Sequence, residues 1–145
     1  MTITKRGNMV YNGCRNHYIR RVKVENAQIQ AKSQLDPPHL DFISGFGWMK
    51  DYLISGSFDG EVYIWNVGKK DQKPVRVRQY PNITKDKLRV VRSNPTESLL
   101  MIADVAGELK FWELNNSDLN CVLGFTPSPV SYFSYYRVLF SLPNG

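Results

Sequence analysis

The stretch Leu53-Ile-Ser-Gly-Ser-Phe-Asp-Gly-Glu-Val-Tyr-Ile-Trp-Asn-Val67 returns without a gap as Leu100-Met-Ile-Ala-Asp-Val-Ala-Gly-Glu-Leu-Lys-Phe-Trp-Glu-Leu114. Trp65 falls on Trp112, Gly60 on Gly107 and Glu61 on Glu108, an offset of 47 positions. A weaker copy lies upstream, Val10-Tyr-Asn-Gly-Cys-Arg-Asn-His-Tyr-Ile-Arg-Arg-Val-Lys-Val24, with Gly13 where Gly56 sits and Val22 in the tryptophan's place 43 positions before Trp65. The opening of a fourth copy begins at Tyr136. Self-similarity at such a period is the signature of stacked supersecondary units, each unable to bury its apolar face alone.

Each copy reads as a hairpin. Residues 52–55 form a short β-rich run, Phe58-Asp-Gly60 signals a tight turn, and 61–67 alternate. Val62 and Ile64 point to one face of that strand, Tyr63 and Trp65 to the other. Apolar bulk on both faces predicts a strand covered on both sides. Residues 42–48, 74–80, 88–92 and 120–125 supply further strands, and Val75, Arg76, Val77 and Arg78 alternate as an outer strand with one wet face would. Four strands per unit, repeating every 43 to 47 residues, is the arithmetic of a propeller blade. A generic antiparallel sandwich with two similar hairpins is the alternative. No segment carries a helical stripe.

Composition sets the class. The chain has 145 residues, 42% of them hydrophobic and 22% charged, which fits one ordinary globular domain and excludes a disordered or fibrous chain. No apolar run approaches the roughly 20 residues that cross a bilayer, and no secretory signal precedes the repeats. Cys14 and Cys121 are therefore expected as free thiols in a reducing, intracellular compartment, cytoplasmic or nuclear. The glycosylation sequons at Asn82 and Asn115 have no weight there. Residues 1–35 carry the whole net charge of +6, and the remainder balances. Such asymmetry suggests an acidic partner or nucleic acid.

On residues 53–66 and, less fully, 101–113, the chain resembles the WD-repeat β-propeller family, and the resemblance extends over about residues 9–142. It implies an all-β fold: a partial β-propeller of about three four-stranded antiparallel blades, at 9–35, 40–80 and 86–126, with a partial blade at 129–145 and incomplete blades at both ends. It also implies a buried hydrogen-bond network of a turn aspartate, a serine on the second strand, a histidine ahead of the first strand, and the tryptophan. Asp59, Ser57 (or Ser55), His39 and Trp65 are the matching positions, with Trp112 the tryptophan of the next unit. The pattern thins there: Ala106 replaces the turn aspartate, and no histidine precedes that unit. Propellers typically have four to eight blades, so a chain this short implies a ring completed by another segment or chain.

Enzyme chemistry finds little footing. His17 and His39 are the only histidines and neither has a metal-ligand spacing, so no metal or cofactor is expected. No nucleophile elbow or phosphate-cradling glycine loop occurs. The basic stretch is the stronger candidate: Lys69, Lys70, Lys73, Arg76, Arg78, Lys85, Lys87, Arg89 and Arg92 could contact phosphate or an acidic partner, with Arg76, Arg78 and Tyr80 expected on one face of their strand. The bland alternative is a solvated outer strand whose charges discourage edge pairing. The basic cluster Arg15, Arg20, Arg21 and Lys23 stands under the same two readings. The aromatic run 132–136 is expected to pack within the last blade. Trp48 is either a wedge between blades or an exposed recognition anchor. The expectation is a non-catalytic protein–protein interaction scaffold within an intracellular multiprotein complex, with protein partners, no membrane and no small-molecule substrate. The alternative is a nucleic-acid-associated propeller subunit.

Overall fold

Twelve strands make up the regular structure of the computed structural model, which describes residues 2–68 and 72–125, and no helix occurs among them. The first sheet contains β1 (Ile3–Arg6), β2 (Met9–Gly13), β3 (Ile19–Glu25) and β4 (Gln28–Leu35). The second contains β5 (Ile43–Met49), β6 (Tyr52–Ser57), β7 (Val62–Asn66) and β8 (Val75–Tyr80), and the third β9 (Leu88–Ser93), β10 (Leu100–Asp104), β11 (Leu109–Asn115) and β12 (Asp118–Phe125). Each is four-stranded, antiparallel and open, with its strands in chain order. The first sheet thus reaches back to Ile3, ahead of the segment 9–35 marked by the repeat. The expected partial unit at 129–145 and the aromatic run 132–136 lie outside the described residues.

The turns show why these residues repeat. A residue with φ near +60° sits between the first two strands of every sheet: Gly7 at 60°, Lys50 at 58° and Glu97 at 57°. Another sits between the second and third strands: His17 at 70°, Gly60 at 94° and Gly107 at 91°. Both sets are spaced by 43 and 47 positions, as the sequence copies are. Glycine adopts this region without strain, whereas lysine, glutamate and histidine do so against a steric penalty. The upstream copy therefore has the same backbone as the other two even though it lacks their tryptophan.

Alternation along the strands then builds the core. Tyr63 and Trp65 of β7 face the first sheet and bury themselves with Tyr11, Ile19, Leu35 and Trp48. Val62 and Ile64 face the third sheet and meet Leu88, Val91, Leu100 and Ile102. The second sheet is thus covered on both faces, which explains why β7 has no polar side. On the far face of the third sheet Met101, Ala103, Leu109 and Phe111 form a third cluster. The first strands of the sheets, β1, β5 and β9, lie beside one another. The approach of β5 to β9 is so close that a Cβ on Gly45 would sit 2.8 Å from the Val91 amide nitrogen.

Candidate functional site

The centre of the second sheet holds a buried polar chain. His39, in the loop ahead of β5, meets the Ser55 hydroxyl of β6 through Nε2 at 2.7 Å and the Glu61 carboxylate through Nδ1 at 3.0 Å. The Trp65 indole donates to the Ser55 hydroxyl at 2.9 Å. With its hydrogen on Nδ1, the ring donates to Glu61 and accepts from Ser55, so both ring nitrogens, the serine hydroxyl and the indole nitrogen of this cluster have partners. Tyr63 stacks on His39 at a centroid distance of 3.9 Å and donates its hydroxyl to Pro38 O at 3.1 Å. The Gln79 amide completes the set by donating to Glu61 at 3.0 Å.

Electrostatics follow from this packing. Burial works to raise the Glu61 carboxyl, but the hydrogen bonds from His39 and Gln79 outweigh it and hold the group below its ordinary 4.5. Burial pushes the Tyr63 phenol up to about 12, and the adjacent Glu61 charge adds to the shift.

Serine, histidine and carboxylate stand here in the order of a hydrolase triad, yet the arrangement is sealed. Ser55 has no exposed surface and its hydroxyl already accepts the indole, so a substrate carbonyl has no path to it. What the chain does is clamp the loop ahead of β5 onto β6 and β7.

His39 and Trp65 meet in this cluster as the resemblance implies, and of the two candidate serines only one joins them. The structure selects Ser55. Ser57 is buried with a hydroxyl that has no partner. The carboxylate also differs: Asp59 accepts the Glu61 amide at 3.1 Å and shapes the turn, while Glu61 reaches the histidine. Glu61 opens an alternating strand with its side chain on the Tyr63 face, and that parity was the available signal.

In the third sheet Trp112 has no such partners, and its buried indole nitrogen lacks an acceptor. Ile102 stands where Ser55 does in the second copy. The turn is held by a residue other than the one at position 106. Asp104 accepts the amides of Ala106 and Glu108, both at 3.0 Å, so a carboxylate two positions upstream replaces the one Ala106 lacks.

The basic residues do not form one patch. Arg76 lies over the Tyr63 ring at 4.6 Å, on the side of the first sheet. Arg78 pairs with Asp118 at 2.8 Å, and the Tyr80 hydroxyl accepts the Leu119 amide at 3.0 Å, both on the side of the third sheet. The expectation that Arg76 and Arg78 share a face fails because a bulge opposite Ile64 and Trp65 inserts an extra residue into β8 and reverses its alternation. Lys73 pairs with Asp36 at 2.9 Å. Lys87 lies near the Phe58 ring, and Arg89 and Arg92 line a cleft of about 270 Å³ between β1, β5 and β9. Lys85 is exposed. Lys69 and Lys70 lie outside the described residues.

Trp48 is a wedge. It is 8% exposed, its indole donates to Thr4 at 2.8 Å, and its amide donates to Ser93 at 2.9 Å, so it ties β5 to strands of both neighbouring sheets. Cys14 and Cys121 are free thiols. Among the described residues no group of side chains could hold a metal ion, and no helix is long and apolar enough to cross a membrane.

No family profile matches the chain. Mouse kinesin-like protein KIF21B is 29% identical over 122 residues, covering 80% of this chain and 7% of that protein. Human kinesin-like protein KIF21A is 28% identical over 110 residues, covering 74% and 6%. The chain therefore spans a small fraction of the length of the curated relatives it matches. Among solved structures, the computationally designed protein Ika8 superposes with a TM-score of 0.61 at 16% identity, covering 86% of this chain and 36% of that one. At that identity the likeness concerns the fold alone.

Proposed function

We propose that the chain is a segment of a WD-repeat β-propeller that acts as a non-catalytic protein–protein interaction scaffold in an intracellular multiprotein complex. One observation carries the blade reading above the others: equivalent turns in three successive sheets share their left-handed residues at offsets of 43 and 47, and the first strands of those sheets lie side by side. That is how blades succeed one another around an axis. The match to short stretches of much longer kinesin-like proteins is in keeping with a module carried within a larger assembly.

Two further features favour binding over catalysis. The triad-like side chains are consumed by the fold, and function has to be argued from a site that a partner can reach. Ile3 of β1 and Ile29 of β4 are 64% and 59% exposed, so the first sheet retains apolar surface for further blades, from another segment or another chain. The nucleic-acid alternative is weakened by the scatter of its candidate arginines and by the pairing of Arg78 and Lys73 with carboxylates.

The test is recovery of the tagged protein from nuclease-treated cell extract, followed by light scattering of the purified material. The scaffold reading predicts a protein partner at fixed stoichiometry that survives nuclease and moderate salt. Recovery of the protein alone, together with oligonucleotide binding that collapses steeply as salt rises, would contradict it, because counterion release makes phosphate-driven binding salt-sensitive.

A further inference from the structure

Four large apolar side chains are exposed at one end of the molecule: Leu40 (75%), Phe42 (57%), Phe58 (38%) and Val105 (46%). They come from the loop ahead of β5, the β6–β7 turn and the β10–β11 turn, and backbone hydrogen bonds join those segments into one surface. The Phe58 amide donates to Phe42 O at 2.8 Å, the Leu88 amide to Phe58 O at 3.2 Å, and the Val105 amide to Lys87 O at 2.9 Å. His17 meets the Phe42 ring edge-on at 5.6 Å and steadies it as a ridge.

A depression flanks that ridge on each side. The larger, about 730 Å³, is lined by Gly13, Cys14, Arg15, Arg20 and Ile43; the smaller, about 260 Å³, by Ser44, Phe58, Leu88 and Arg89. Each has arginine on its wall and neither is lined by a carboxylate. The acids at this end are turned to their own backbone: Asp41 accepts the Phe42 amide at 2.7 Å, Asp59 the Glu61 amide, and Asp86 the Lys87 amide at 2.8 Å. Among the described residues Arg15, Arg20 and Arg89 have no carboxylate partner.

We infer that this end docks an extended acidic peptide of a partner protein, with Asp or Glu side chains reaching the arginines on either side of Phe42 and apolar side chains covering Phe42 and Phe58. The inference rests on the scaffold reading and names the partner chemistry for it. An apolar patch rimmed by polar groups is the ordinary mark of an interaction surface, and aromatic residues and arginine are the types enriched at the centres of such surfaces. A carboxylate with an arginine on each side of a ring gives the register that an apolar groove alone does not. Nucleic acid fits less well, because Leu40 and Val105 offer aliphatic surface that phosphates and base edges do not use.

Fluorescence anisotropy on the full chain tests this with three labelled probes: a peptide alternating glutamate and leucine with a terminal tryptophan, the same peptide with lysine for glutamate, and a single-stranded oligonucleotide. The glutamate peptide should bind and the lysine peptide should not. Phe42→Ala and the double variant Arg15→Glu/Arg20→Glu should each weaken binding about tenfold or more, the range of an interface hot spot. Lys5→Glu, exposed on β1 beside the opposite rim, should leave it unchanged. These side chains are exposed, so an unaltered near-ultraviolet circular dichroism spectrum certifies the fold of each variant. Absence of peptide binding, or equal binding of the lysine peptide, overturns the inference. Glutamate-peptide binding that ignores Phe42 and the arginines overturns it while the scaffold reading stands. Preference for the oligonucleotide overturns both.

Discussion

Ser55 has to satisfy two neighbours at once, the Trp65 indole above and the His39 ring beside it, and no water reaches any of the three. Ser55→Ala should therefore cost about 1–3 kcal/mol, because it strands buried polar atoms as well as losing bonds. Thermal or denaturant unfolding reads that loss, and an unchanged stability would show the cluster to be solvated. Titration provides a second handle. The Glu61 carboxyl is lowered below 4.5, so the folded chain holds that proton less tightly than the unfolded chain does. The stabilisation is present above pH 4.5 and drains as pH falls through the lowered value. Glu61→Gln should flatten stability against pH in that acid range. Tyr63 has the opposite sign. Its phenol is raised from 10 to about 12, so its contribution is complete below pH 10 and is lost between pH 10 and about 12. Tyr63→Phe should remove that alkaline component from a pH series of melting curves. His39 and Trp65 were legible as partners from the sequence because their positions matched a known pattern. Glu61 is legible only in part: its parity with Tyr63 places it on a covered face, while the known pattern points to the turn aspartate, Asp59, as the carboxylate instead.

Slips in strand pairing are what sequence could not foretell; the first-to-second pairings of the second and third sheets have one each, and the third-to-fourth pairings have one in every sheet. In all three sheets the register slips along the third strand, at Lys23/Val24, Ile64/Trp65 and Phe111/Trp112. A bulge is a property of a pair of strands, and the alternation of Val75 to Arg78 is unbroken when read alone; hence the misplacement of Arg78 relative to Arg76. Hairpins and turns were far more legible, because Gly60 and Gly107 must supply a backbone conformation that few residues adopt. Gly60→Ala should lower stability by about 1–2 kcal/mol from the left-handed backbone alone, and its new Cβ would also press on the Thr84 hydroxyl at 3.0 Å. Trp65→Ala empties a wholly buried indole position and should cost about 3–5 kcal/mol. A melt that shows no loss in this variant would mean that β7 is not the covered strand of the second sheet.

Across the whole molecule, the equivalent turns meet. Arg6, just before Gly7, donates to Lys50 O and to the Glu97 carboxylate, and lies over the Trp48 ring at 4.1 Å. The Lys50 amide donates to the same Glu97 carboxylate at 2.9 Å, and its ammonium reaches Thr96 O at 3.0 Å. Three turns separated by 43 and 47 residues are thus gathered at one rim, opposite the end that carries Phe42. A sandwich of two facing sheets gives no reason for every first-to-second-strand turn to converge. Zero-length carbodiimide coupling followed by peptide mass spectrometry reads that convergence directly in the intact protein. Sheets succeeding one another around a common axis predict a covalent Lys50–Glu97 link within a single chain, abolished by Glu97→Gln. Coupling of Lys50 to acids of other turns, with none to Glu97, would contradict the arrangement.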